Sequence, residues 1–222
     1  MIDQWTGDEC AQGCDNNANN FKHNEFGCFM ACFPHDQLLW MVDSLNLSLV
    51  AAEKKATTVG ELLKWFGVLI LAARFEYGER PSLWSHETNN KYIPPASLGR
   101  TGMTRPCFDE LFQHMEWSES PVERPEGMSS ETFRWMKVDD FVSRINAHRV
   151  KCFSPSHLIC VDESISPWYG LGGNWINCGL PFYVAIDRKP EDGCKMQNSC
   201  CATTGIMLRL KLVKSPVEEA NK

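Results

Sequence analysis

The sequence lacks three features, each typical of a different class of protein: membrane-spanning, secreted and strongly basic nucleic-acid-binding proteins. It has no apolar run near the roughly 20 residues that cross a bilayer, since the longest extends only from Val68 to Ala73. Its first residues form neither a basic nor an apolar segment, so no secretory leader is expected. It has no polybasic arm, and its net charge of −6 argues against a strongly basic nucleic-acid binder. These absences predict a soluble intracellular protein without a membrane partner.

Cysteine, by contrast, is abundant, with eleven residues among 222. The number is odd and the spacing irregular, so without an export signal free thiols are favoured over a disulfide framework. Cys10, Cys14, Cys28 and Cys32 form two C-x3-C pairs around a polar, Asn-rich run that predicts poor order. Four thiolates could hold a structural zinc ion. The alternative is a set of unligated thiols in a flexible tail.

Helical periodicity dominates the middle of the chain. Apolar residues recur at three- and four-residue spacing over residues 38–49. A second helix is predicted to begin at Thr58, with Glu61 reaching back to complete a capping box. Residues 104–115 and 133–149 show the same helical spacing and predict two more helices.

The pattern changes to that of strands after Pro155. The apolar run at residues 157–161 predicts a buried strand that ends at Asp162 and Glu163. Three further segments are candidate strands: residues 182–186, residues 195–201 and, as a strand or the start of a helix, residues 206–213.

Three stretches, in this order, resemble the piggyBac transposase family. Residues 58–70 with Trp84-Ser85 are similar to its capped helix and Trp-Ser pair. Residues 103–118 are similar to its Met-Ser-Arg-x-x-Phe helix and the Leu-His-Phe type segment that follows. Residues 159–170 resemble its strand with an Asp-Glu pair and an aromatic-x-Gly end. Residues 168–173 and 187–193 resemble the version found in oomycete genomes.

The resemblance implies a nuclear cut-and-paste DNA transposase with a ribonuclease-H-like core, TTAA targets and three aspartates that hold two Mg²⁺ ions. Asp162 matches the first of these aspartates, and so is the predicted catalytic residue and Mg²⁺ ligand. Glu163 lies on the opposite face of the strand, and we interpret it as a solvated or structural carboxylate. Asp187 and Asp192 are interpreted as turn residues.

We therefore predict an α+β chain, in which a helical N-terminal region precedes a truncated ribonuclease-H-like mixed sheet. The predicted parts are a poorly ordered Cys/Asn-rich tail (1–35), a helical transposase region (36–150) and the first strands of an incomplete catalytic domain (151–222). A sheet of so few strands leaves an exposed edge and an uncovered face. We expect a transposase fragment that is inactive alone and does not bind Mg²⁺ productively, because two-metal chemistry needs several carboxylates. The alternative is a non-catalytic DNA- or protein-binding module.

DNA binding by this piece is expected to be weak or absent, and a homodimer is a further candidate assembly. Residues 171–184 contain no Lys or Arg, although the corresponding family segment is basic, and phosphate contacts supply most non-specific affinity. Trp168 and Trp175 are candidate nucleic-acid contacts. The remaining basic residues form either a modest patch or an ordinary solvated surface: Arg188, Lys189, Lys195, Arg209, Lys211 and Lys214.

Overall fold

The computed structural model describes residues 25–75, 80–87, 95–119, 121, 123–167, 182 and 193–215. It divides into two compact units, Leu38–Glu116 and the combination of Met1–Gln37 with Trp117–Lys222. The described helices are α1 (Glu25–Cys32), α2 (His35–Ala51), α3 (Val59–Arg74), α4 (Arg105–His114) and α5 (Ser130–Cys152), with 3₁₀ turns at Arg80–Trp84 and Leu98–Thr101. The strands are β1 (Ile159–Pro167), β2 (Gly193–Cys201) and β3 (Met207–Leu212). None of the helices in the described ranges is long and apolar enough to cross a membrane.

The helix starts in the unit Leu38–Glu116 follow from local capping chemistry. The Thr58 side chain accepts a hydrogen bond from the backbone N–H of Glu61 at 3.2 Å, which fixes the start of α3 as predicted. The reciprocal half of the capping box differs from the prediction, because the Glu61 carboxylate accepts from the Thr57 hydroxyl at 2.9 Å. Thr104 caps α4, with Pro106 in the first turn.

An aromatic cluster forms the core of this unit. Phe108 lies between Trp65 and Trp84, with ring centroids 5.3 Å and 5.2 Å away. The Trp65 indole donates to the Phe108 carbonyl at 3.2 Å, and the Trp84 indole donates to the Met103 carbonyl at 2.9 Å. The buried indole N–H of Trp65 and the partly buried one of Trp84 therefore both have acceptors, as such groups need. The first two family-like stretches thus pack against each other, and their aromatic residues have a structural role.

The unit formed by Met1–Gln37 and Trp117–Lys222 contains α1, α5 and the sheet. Helix α1 lies inside the segment where no helical pattern was recognised, and the His148 ring nitrogen Nε2 lies 2.9 Å from the Ala31 carbonyl. The Phe33 ring packs against Phe141 of α5, with centroids 6.2 Å apart. Helix α5 lies in the compact unit that also holds the sheet.

The sheet has the order β1-β2-β3, and both pairings are antiparallel. Asp162 lies opposite Asn198, and Asn198 lies opposite Leu210 on the other side. A register shift falls between Ser199 and Cys200. The α+β prediction is confirmed, as are the strands near residues 195–201 and 206–213. The candidate strand at residues 182–186 lies outside the described residues, apart from a bend at Phe182.

The prediction for β1 was wrong in two respects. The strand does not end at Asp162 and Glu163 but continues to Pro167, because Ser164 and Ser166 pair with Met196 and Cys194 of β2. It is also not buried, since its apolar side chains are largely accessible to solvent. An apolar run identifies a strand, but its burial depends on elements that come from elsewhere in the chain.

Candidate functional site

Asp162 is the fourth residue of β1 and lies in the middle of the strand. Its side chain is exposed. Carboxylate atom Oδ1 accepts a hydrogen bond from the backbone N–H of the next residue, Glu163, at 2.8 Å. Because the side chain is exposed, the carboxylate is accessible to a ligand from solvent.

Glu163 is on the opposite face of β1, as the strand alternation predicts. Its Oε1 lies 2.9 Å from the ammonium Nζ of Lys195, whose side chain has no exposed area, whereas that of Glu163 is 36% exposed. Burying an ammonium group requires a compensating charge and hydrogen bonds. The structure therefore supports the structural interpretation of Glu163 and removes Lys195 from the surface patch suggested by sequence.

Asn198 faces Asp162 directly across β1 and β2. Its Nδ2 donates to the Ser164 hydroxyl at 2.6 Å, while its Oδ1 is buried without a hydrogen-bond partner. An amide oxygen is a hard ligand of the kind Mg²⁺ accepts, but this one has no solvent contact. Asp162 and Asn198 together therefore fall short of a complete ligand set.

The residues needed for a two-metal centre are not assembled in the described ranges. No group of three or more His, Cys, Asp or Glu side chains is placed there to hold an ion. Asp187 and Asp192, like Trp168 and Trp175, lie outside the described residues. The metal predicted at Asp162 does not fit the described residues by themselves, since Mg²⁺ needs several oxygen ligands in octahedral geometry.

The zinc hypothesis also stays a prediction. Cys10, Cys14 and the side chain of Cys28 lie outside the described part of the chain. Cys32 is described, half-buried at the end of α1, and forms no disulfide within the described residues.

The described thiols differ widely in accessibility. Cys160 on β1 is exposed, whereas Cys201 is buried. Hydroxyl groups of Ser156 and Thr204 hydrogen-bond to Cys201 and lower its pKa to about 6, but burial denies reagents access to it. Burial, assisted by the Glu61 carboxylate, raises the pKa of Cys107. Cys160 is therefore the most accessible described thiol.

The described basic side chains do not form a concentrated patch. Arg209 and Lys211 are exposed on β3. Lys214 forms an ion pair with Asp139, with Nζ and Oδ1 2.5 Å apart. Arg149, in α5, is half-buried, and desolvation lowers its pKa. Sequence analysis missed these pairings because the partners are distant along the chain and no local pattern marks them.

Comparison with known protein families identifies the family to which this chain belongs. The model of the family described as Transposase IS4 matches residues 24–222, and the chain belongs to that family. No curated protein matches the chain.

Among solved structures, the chain is similar to one described as a piggyBac transposase synaptic complex with hairpin DNA, determined by cryo-EM. The TM-score is 0.67 at 16% sequence identity, with 92% of this chain and 41% of that chain covered. The chain therefore has the fold of a piggyBac transposase and spans less than half the length of the one it matches. The resemblance expected from the three sequence stretches is confirmed at the level of family and fold.

Proposed function

We propose that this chain supplies the helical region and first catalytic-domain strands of a piggyBac-type DNA transposase, with Asp162 as the first metal-binding carboxylate. The observation that carries the proposal is the family match across residues 24–222, within which the matching aspartate is exposed on β1. Transposases of this family generally use a divalent metal. DNA is the partner class, with TTAA targets and a nuclear location proposed from the resemblance.

The 222-residue chain is proposed not to cleave DNA by itself. In phosphodiester cleavage, bound Mg²⁺ ions activate the attacking oxygen and stabilise the leaving oxygen. The described residues offer Asp162, while Glu163 is directed to Lys195. One exposed carboxylate is too few for two ions, because each needs ligands from several elements.

The test is a nicking assay on supercoiled plasmid carrying TTAA sites, with Mg²⁺ or Mn²⁺. We expect no metal-dependent nicking by the purified chain, and the same result for Asp162→Ala. Metal-dependent nicking that disappears in Asp162→Ala would overturn the inactivity proposal while supporting the role of Asp162. Nicking that persists in Asp162→Ala would indicate a contaminating nuclease.

DNA binding by this chain is proposed to be weak and carried in part by Arg209 and Lys211. Both are exposed on one strand, whereas Lys195 and Lys214 are engaged with carboxylates. Fluorescence anisotropy at low salt should show weak affinity that falls further as salt rises. The Arg209→Ala/Lys211→Ala variant should bind less, and Arg100→Ala, an exposed arginine on a 3₁₀ turn, should not. Tight binding unaffected by the double substitution would favour the alternative of a dedicated binding module.

A further inference from the structure

The register of the sheet places two cysteines directly opposite each other. Cys160 of β1 is paired with Cys200 of β2, inside the antiparallel ladder that joins the two strands. Directly opposite side chains lie on the same face of a sheet, so the two thiols are neighbours. Their proximity depends only on strands that the structure describes, and it holds whether or not Asp162 binds a metal ion.

The spacing of an antiparallel pair suits a disulfide. The Cα atoms of directly opposite residues are about 4.5–5.5 Å apart, within the approximately 4.4–6.8 Å range of disulfides. Their Cβ atoms are also about 4.5–5.5 Å apart, against roughly 3.5–4.5 Å in a disulfide. A small approach of β1 and β2 at this position therefore brings the two sulfur atoms to bonding distance.

The other cysteines of β2, Cys194 and Cys201, are placed less favourably. Adjacent residues of a strand alternate in direction, so the side chain of Cys201 lies on the opposite face from that of Cys200, where it is buried. Cys194 shares the face of Cys200 but lies near the start of β2, opposite Ser166. Neither can replace Cys200 as the partner of Cys160 without a change of register.

Two described cysteines of the same compact unit lie on helices. Cys152 is buried at the end of α5, which limits access to it. The thiols of Cys32, on α1, and Cys200 both lie near enough to Arg149 to affect the pKa of its guanidinium group. Cys32 is therefore the described rival of Cys160 for Cys200. Unlike Cys160, it is not held opposite Cys200 by strand pairing.

We propose that Cys160 and Cys200 are a site of reversible oxidation, at which hydrogen peroxide converts the two thiols into an intramolecular disulfide. Cys160 is exposed and is the thiol that the peroxide reaches first, and Cys200 is half-buried beside it. Attack of the Cys160 sulfur breaks the O–O bond, giving a sulfenic acid and one water. The Cys200 sulfur then displaces the sulfenic hydroxyl as a second water, so the two thiols lose two electrons and two protons to the peroxide.

Oxidation of the full chain with hydrogen peroxide tests the pair. The chain is treated at low concentration, the remaining thiols are alkylated, and the monomeric product is digested for mass spectrometry, with fragmentation that separates Cys200 from Cys201. We expect the Cys160–Cys200 link to be the main product and dithiothreitol to reverse it. Unfolding the chain in urea before oxidation should reduce this link at least roughly tenfold, because strand pairing no longer holds the thiols at disulfide spacing.

Matched variants test the register. In Cys200→Ser/Ser199→Cys the thiol moves by one residue to the opposite face of β2, so the link to Cys160 should be lost. Cys194→Ser removes a thiol from the same strand and face, and should leave the yield unchanged. Absence of the Cys160–Cys200 link, a main product that joins Cys32 to Cys200, equal yields from native and unfolded chain, or a link that survives the one-residue shift would each overturn the proposal.

Thermal unfolding tests whether the native sheet accepts the bond. The disulfide closes residues 161–199 into a loop and so restricts the unfolded chain, and Tm should be at least about 3 °C higher in the oxidised than in the reduced chain. Circular dichroism should show unchanged secondary structure in Cys200→Ser/Ser199→Cys, and its Tm should not rise on oxidation. A lower Tm for the oxidised unmodified chain would show that the bond distorts the sheet, contrary to the proposal.

Discussion

At the scale of single residues, we predict that Asp162 has a chemical role and contributes little to the stability of the fold. Its carboxylate is exposed and accepts a bond from the adjacent backbone N–H. We expect Asp162→Asn to change the free energy of unfolding by less than about 0.5 kcal/mol, the usual range for surface substitutions. Urea denaturation followed by tryptophan fluorescence would measure it. A loss above about 2 kcal/mol would show that the carboxylate has a structural role.

Glu163 and Lys195 should behave in the opposite way. Glu163→Gln removes the carboxylate that compensates a buried ammonium group, and we expect a loss of about 1–2 kcal/mol, less than for a fully buried pair because Glu163 is partly exposed. Lys195→Met, which removes the buried charge itself, should cost less. The same denaturation measurement compares the two variants. A larger loss for Lys195→Met would contradict this account of the pair.

The opposite orientations of Asp162 and Glu163 could be predicted from sequence, whereas the burial of Lys195 could not. Alternation along a strand is local, so the opposite orientations of Asp162 and Glu163 could be predicted. The burial of Lys195 could not, because Glu163 lies opposite Gln197 and reaches Lys195 diagonally across β1 and β2. That contact depends on strand register, which no nearby pattern specifies.

At the scale of elements, Asn146 connects α5 to the outer edge of β3. Its side chain makes two hydrogen bonds with Leu210, each worth about 1 kcal/mol. Asn146→Ala should therefore destabilise the chain by about 2 kcal/mol and speed amide exchange at Leu210. Asn146→Asp keeps the acceptor for the Leu210 N–H but places a second carboxylate oxygen against the Leu210 carbonyl, so it should also destabilise the chain. Denaturation measures the change in stability, and hydrogen exchange followed by mass spectrometry measures the change at Leu210. Unchanged exchange in Asn146→Ala would argue against the contact between Asn146 and the edge of β3.

Helices were easier to predict than the sheet for a physical reason. The start of α3 at Thr58 and that of α4 at Thr104 depend on side chains within three residues of the cap. The length and exposure of β1 depend on β2 and on what covers the sheet, and both are distant in sequence. Helix α1 was missed because it is only eight residues long, contains Gly27 and follows a polar, Asn-rich run.

At the scale of the whole molecule, the family match extends over nearly all of the chain, while the ligands for catalysis do not come together in its described residues. The motifs that resemble a transposase serve two purposes here. The stretches around Trp84 and Phe108 build the core of one unit, and the stretch around Asp162 supplies a strand of the other.

Whether Asp162 binds Mg²⁺ in this chain can be tested through the effect of the ion on thermal stability. A ligand that binds the native state raises its stability according to its concentration and affinity, and one exposed carboxylate binds Mg²⁺ poorly because the ion gives up its water reluctantly. About 10 mM MgCl₂ should therefore raise Tm by less than about 1 °C relative to NaCl of equal ionic strength. Asp162→Asn should respond identically in differential scanning calorimetry. A rise of several degrees that Asp162→Asn abolishes would instead show that Asp162 shares an ion with ligands beyond the described residues.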